Sequence, residues 1–85
     1  MNTQEREQVR LSILRYGLAG VSERLASSYL RGEGLVARVE EVALEMRYLA
    51  EKGFLAETVK AISPENRLWR TTAAGRDFLA MQGNE

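Results

Sequence analysis

The sequence has no cysteine and no histidine. Disulfide staples, thiolate nucleophiles, the usual zinc ligand sets and the commonest general base are therefore all missing, which removes most enzyme chemistry. The expectation is a non-enzyme without metal or cofactor. There is no excess of charge of one sign either: 12 Lys plus Arg balance 12 Asp plus Glu, with a pI near 6.3. The simplest electrostatic footprint of a nucleic-acid binder is a clearly basic domain, so composition alone speaks mildly against DNA. No window approaches the run of about 18 apolar residues that a membrane span needs, and the opening Met-Asn-Thr-Gln-Glu-Arg-Glu lacks the apolar stretch of a signal peptide. A soluble, cytoplasmic protein with no membrane partner is expected. The only proline, Pro64, sits in a turn signal, so no proline-rich linker divides the chain.

What is present is ordinary globular material: 85 residues, 45% hydrophobic and 28% charged. That is enough for one modest core, and a single domain over 1–85, ordered from about 3 to 81, is the reading. Thr3 to Tyr16 places Val9, Ile13 and Tyr16 near one face with Leu11 and Leu14 beside it, which predicts a first helix capped by Asn2 or Thr3 and stopped by Gly17 and Gly20. Ser22 is a good N-cap for a short second helix carrying Leu25, Ala26, Tyr29 and Leu30 as far as Gly32. The longest periodic run then places Leu35, Val39, Val42, Ala43, Met46, Leu49 and Ala50 on one stripe, predicting a third helix from Leu35 to about Lys52 with Gly53 just past its end.

From Phe54 the pattern changes. β-Branched and aromatic residues, Phe54 to Ile62 and Arg67 to Thr71, flank Ser63-Pro64-Glu65-Asn66, a type I turn signal and hence a hairpin. Thr72 to Met81 forms a short fourth helix that Gly75 weakens by about 1 kcal/mol relative to alanine, ahead of a frayed tail from Gln82 to Glu85.

The phrases Met46-Arg-Tyr-Leu-Ala-Glu-Lys-Gly-Phe-Leu55 and Trp69-Arg-Thr-Thr-Ala-Ala-Gly-Arg-Asp-Phe-Leu79, separated by one hairpin, resemble the two ends of the wing in winged helix-turn-helix regulators of the PadR, MarR and ArsR type. Arg10-Leu-Ser-Ile-Leu-Arg-Tyr-Gly also resembles the opening of small winged-helix proteins of Mu-like bacteriophages. The resemblance implies a mainly α fold with a β-hairpin wing and a DNA-binding transcriptional regulator, encoded by a phage or prophage. It also implies a homodimer, with helices 1 and 4 forming the contact. In this family the third helix lies in the major groove and the wing touches flanking phosphates. Carried over, base-facing positions are Ala37, Arg38, Glu41 and Glu45, and the wing contributes Lys60, Arg67 and Arg70.

The residues depart from that pattern. The outward face of helix 3 reads as Ala37, Glu40, Glu41, Leu44, Glu45, Tyr48 and Glu51, with Arg38 and Lys52 at its margin. Four carboxylates facing polyanionic DNA repel it, because affinity comes largely from cations displacing counterions from phosphates. Leu44 and Tyr48, one turn apart, look more like a small protein-contact patch. A protein-interaction module using this acidic and apolar face is therefore the alternative reading.

Other patterns have plainer explanations. Gly32-Glu-Gly34-Leu-Val-Ala37 matches an Ala-ended dinucleotide fingerprint, but it follows a helix where that motif follows a strand, so it reads as an interhelical turn. Adjacent Glu40 and Glu41 diverge by about 100° and cannot share a substrate atom. Ser27 and Ser28 have no histidine to activate them. Trp69 reads as a core anchor joining the wing to helix 1 or 3. Arg6, Arg10 and Arg15 read as surface charges, and Lys60 opposite Arg67 makes the wing locally basic.

Overall fold

The element order is α1 (Thr3–Gly17), α2 (Glu23–Gly32), α3 (Val39–Glu51), β1 (Leu55–Val59), β2 (Leu68–Thr71) and α4 (Ala73–Gly83). The computed structural model describes residues 2–35, 38–59 and 67–83. Ala37, Lys60 and the Ser63–Asn66 turn lie outside the described residues.

Local chemistry sets the helix limits. The Asn2 side chain accepts from the Glu5 amide at 2.8 Å while the Glu5 carboxylate accepts from the Asn2 amide at 3.2 Å, a reciprocal cap on α1. The Ser22 hydroxyl accepts from the Leu25 amide at 3.1 Å and starts α2. Helix 3 begins four residues later than the periodicity predicts, at Val39 instead of Leu35. The reason is that Leu35 still belongs to the end of α2: its amide donates to the Leu30 carbonyl, the Gly34 amide donates to Arg31, and Gly34 has φ +86°. That 6→1 and 5→2 pair with a left-handed glycine is a Schellman cap. The same device ends α3, where Phe54 donates to Leu49, Gly53 donates to Ala50 and Gly53 has φ +82°.

The three helices and the hairpin enclose one core: Val9, Ile13 and Leu14 from α1, Ala26 and Leu30 from α2, Val42, Met46 and Leu49 from α3, with Val21, Leu55 and Trp69. β1 and β2 pair antiparallel with Leu55 opposite Thr71 and Glu57 opposite Trp69, then slip by one residue so that Val59 faces Leu68. The extra residue makes a β-bulge, which raises local twist. Trp69 also exchanges two backbone hydrogen bonds of 2.9 Å with Val21, adding a one-residue rung between α1 and α2 that the sequence does not announce.

Two glycines serve packing. Gly17 lies inside the last turn of α1, where a Cβ would meet Thr71 and the Leu55 side chain at 3.2 Å, and the positive φ needed after the helix falls to Gly20. Gly75, read from sequence as a weakness in α4, lets that helix pass over the Phe54 carbonyl. Thr72 caps α4, accepting from the Gly75 amide at 3.1 Å and donating to the Gly53 carbonyl at 2.6 Å, so α4 is clamped to the turn that ends α3. No helix among the described residues is long and apolar enough to cross a membrane.

Candidate nucleic-acid interface

With α3 held by Val42, Met46 and Leu49, its opposite side is a line of exposed residues at helical spacing: Glu40, Leu44, Arg47 and Glu51. Leu44 is 62% exposed. This differs from the face expected from sequence, and the difference is mostly electrostatic.

Glu45 is not on the outward face. It is 7% exposed and turned toward α1, where its Oε1 accepts from Arg10 Nε at 2.6 Å and its Oε2 lies 3.4 Å from Arg6 Nε. At 100° per residue Glu45 lies only about 40° from Leu49 and about 60° from Val42, so the helical wheel already places it at the edge of the buried side. Burial works against the charge on Arg10. The hydrogen bond and charge of Glu45, with Tyr48 and Glu7, more than offset that and hold the guanidinium above its ordinary pKa. Arg10 is thus a bridge between helices, not a free surface charge.

Glu41 is also occupied: its carboxylate accepts from the Arg38 amide at 3.0 Å and caps the start of α3. Arg38 stands at the N-cap with an exposed side chain. Tyr48 is 37% exposed and carries the Arg10 guanidinium 3.9 Å above its ring centre, with the Lys52 ammonium at 5.6 Å. Its ring is covered from the α1 side, which leaves Leu44 as the more open apolar residue of the expected pair.

Of the predicted acidic face, Glu40 and Glu51 therefore remain exposed and uncommitted. Arg47, absent from the sequence-derived set, joins them in the middle of the line. Across α2, α3 and their caps, Arg24, Arg31, Arg38, Arg47 and Lys52 are exposed against Glu33, Glu40 and Glu51. Among these exposed side chains the cations outnumber the carboxylates, with Glu41 half-buried at the start of α3.

On the wing, Arg67 Nε sits 3.1 Å from Glu57 Oε2 across the two strands, each side chain about three-quarters covered. Its charge is partly spent inside the hairpin, and its ion-pair partner within the described residues is Glu57; Lys60, expected opposite it, lies outside them. Arg70 is exposed, beside Ala56 in the register, and has no ion-pair partner among the described residues. Trp69 lies on the opposite face of β2, 7% exposed and inside the core. The described residues contain no cluster of His, Cys, Asp and Glu able to hold a metal.

A separate apolar groove of about 410 Å³ runs between α1 and α4, lined by Leu11, Leu18, Leu79 and Ala80 with Arg15 and Gln82 at its edge. Met81, on α4, is 78% exposed.

No protein-family model matches the chain, and no curated protein matches it in sequence. Among solved structures it is similar to the crystal structure of a PadR family transcriptional regulator from Eggerthella lenta DSM 2243, with a TM-score of 0.79 and 20% identity, over 93% of this chain and 71% of that one. At that identity the likeness concerns the fold: the chain has the winged helix-turn-helix architecture, with β1 and β2 as the wing.

Proposed function

We propose that the protein is a DNA-binding transcriptional regulator, acting as a homodimer whose α3 enters the major groove while the wing reaches the flanking phosphates. The observation that carries this reading is the disposal of the acidic residues of α3. Glu45 is folded into an ion pair with α1 and Glu41 into a helix cap, so the exposed line of α3 holds Arg47, with Arg38 at the N-cap of the same helix and Arg24 and Arg31 exposed on α2. A recognition surface needs cations facing phosphate and base edges, and this one has them with Glu45, one of the carboxylates that argued against it, withdrawn and neutralised by arginine. The likeness to a transcriptional regulator supports the same assignment, and the Arg10-to-Gly17 phrase supports a phage or prophage setting. The α1–α4 groove, apolar and open, is where the second copy fits, as in the regulators that the sequence resembles.

The test is a fluorescence-anisotropy titration of random-sequence duplex at about 50 and 200 mM salt, the range over which phosphate contacts show themselves. Binding that weakens steeply with salt is the expected result. No binding at the lower salt overturns the DNA reading and leaves exposed Leu44 as the centre of a protein-contact surface instead.

A further inference from the structure

The exposed line of α3 has four members and only one of them donates hydrogen bonds. Glu40 and Glu51, at its two ends, offer acceptors alone, and Leu44 offers none. Arg47 lies between Leu44 and Glu51, exposed, with no hydrogen bond or ion pair among the described residues. The three arginines of α1 are already paired: Arg6 and Arg10 with Glu45, and Arg15, at the edge of the α1–α4 groove, with the Ser12 hydroxyl at 2.9 Å. A planar fork of donors held free at the centre of a groove-sized surface matches guanine, which presents O6 and N7 as adjacent acceptors in the major groove.

We infer that Arg47 is the base-reading residue of this protein and takes guanine, with Leu44 packed on the methyl group of a nearby thymine. The pairing follows from what each side chain can do. Leu44, 62% exposed and one turn before Arg47, finds a complementary apolar group on only one base edge of the major groove, the thymine methyl. Three residues of helix separate the two by about 4.5 Å along the axis. That is little more than one base-pair step of about 3.4 Å, so the guanine and the thymine lie no more than two base pairs apart. The inference rests on the DNA reading above and names the sequence element that α3 recognises.

The experiment is enrichment of duplexes from a random library by the full chain, in parallel for the natural protein, Arg47→Ala and Arg47→Lys, followed by replacement of the fixed guanine with 7-deazaguanine, which lacks the N7 acceptor. Expected are enriched duplexes holding a guanine with a thymine within two base pairs, and a loss on the order of tenfold in affinity on 7-deaza replacement. Arg47→Ala should still bind duplex with a salt dependence, enrich no guanine at that place and ignore the replacement, while Arg47→Lys keeps at most part of the preference because it cannot fork. Arg47 is exposed and unpaired, so equal melting temperatures of the three proteins separate recognition from folding. Enrichment of the same sequence by Arg47→Ala, or indifference of the natural protein to 7-deazaguanine, overturns the inference while the DNA reading stands. Failure of the natural protein to bind any duplex at about 50 mM salt overturns both.

Discussion

Arg10 of α1 donates its Nε hydrogen to Glu45 of α3 at 2.6 Å, and the same guanidinium stands 3.9 Å above the centre of the Tyr48 ring one turn further along α3. This one side chain therefore fixes both the distance and the rotation of α3 relative to α1. Two charged residues that look like surface charges in the sequence form a partly buried joint between helices. Removing one partner from such a joint leaves the other covered and uncompensated, which costs more than the pair contributes.

Glu45→Gln is expected to lower stability by about 1–2 kcal/mol, below the ~3–5 kcal/mol of a fully buried pair because Arg6 is half exposed. In a domain of this size each kcal/mol moves Tm by roughly 4–8 °C. A urea unfolding midpoint equal to that of the natural protein would remove the joint from the account. Arg10, held above its ordinary pKa, contributes stability that is present below its unfolded value and lost only as pH rises through the still higher folded value. Its side of the joint therefore adds no pH dependence across the neutral range.

Gly75→Ala tests packing against propensity. Alanine is better than glycine in a helix by about 1 kcal/mol, so propensity alone predicts stabilisation. The added Cβ would instead meet the Phe54 carbonyl, which is backbone and cannot turn aside, and Thr71 Cγ2 at 2.7 Å. A net loss of about 1–3 kcal/mol is expected, as for overpacking elsewhere, and a rise in Tm would contradict the close passage of α4 over the α3–β1 turn.

Thr71 donates its hydroxyl hydrogen to the Leu14 carbonyl at 2.6 Å, inside the core and 57 residues away along the chain. Leu14 lies in the last turn of α1, where carbonyls lack a helical partner. Thr71→Val keeps the shape and strips the donor, and should cost about 1–3 kcal/mol in thermal or chemical unfolding. A near-neutral result would mean that water replaces the hydroxyl.

On the wing, Arg70 and Arg67 should separate in a salt titration. Arg70→Ala removes an exposed, uncommitted cation and is expected to reduce the slope of log affinity against log salt by about 1. Arg67→Ala removes a charge already shared with Glu57 and should change that slope less. Equal effects would place both guanidiniums on phosphate.

The proposed homodimer makes its own demand on the α1–α4 groove. A double substitution, Leu18→Lys with Met81→Lys, places charges on residues that are 45% and 78% exposed and should leave the fold intact. Sedimentation is expected to show dimers for the natural protein and monomers for the variant. A natural protein that sediments as a monomer rules out that role for the groove.

The order of elements is legible because the helices carry their own signals: periodic apolar residues throughout, Asn2 and Ser22 at the starts of α1 and α2, and Gly34 and Gly53 past the ends of α2 and α3. Val42, Met46 and Leu49 occupy the core as the stripe predicts. What escaped was anything decided by a neighbouring element. Leu35 fits the α3 stripe by spacing, yet its amide is used by the α2 cap, and spacing carries no record of backbone partners. Gly75 looks like a poor helix residue until Phe54 is placed beneath it. The acidic reading of α3 treated every carboxylate outside the stripe as solvated. The helical wheel places Glu45 only at the edge of the buried side; its burial as a charge depends on Arg10, 35 positions earlier, and no pattern local to α3 contains that arginine. Arg47 emerges only when the line from Glu40 through Leu44 is followed along the side of α3 opposite Val42, Met46 and Leu49.

The short rung between Val21 and Trp69 has a mechanical consequence. It sews β2 to the segment that leads into α2, while Thr72 sews the root of the wing, just past Thr71, to the turn after α3. α3 and the root of the wing are thereby tied together like the two arms of a caliper with a fixed opening. A caliper does not adapt to the rod it measures. On the proposed DNA reading, any mismatch between that opening and the local width or twist of a duplex would be taken up by the nucleic acid, so sequences that deform easily would gain affinity at base pairs the protein never touches.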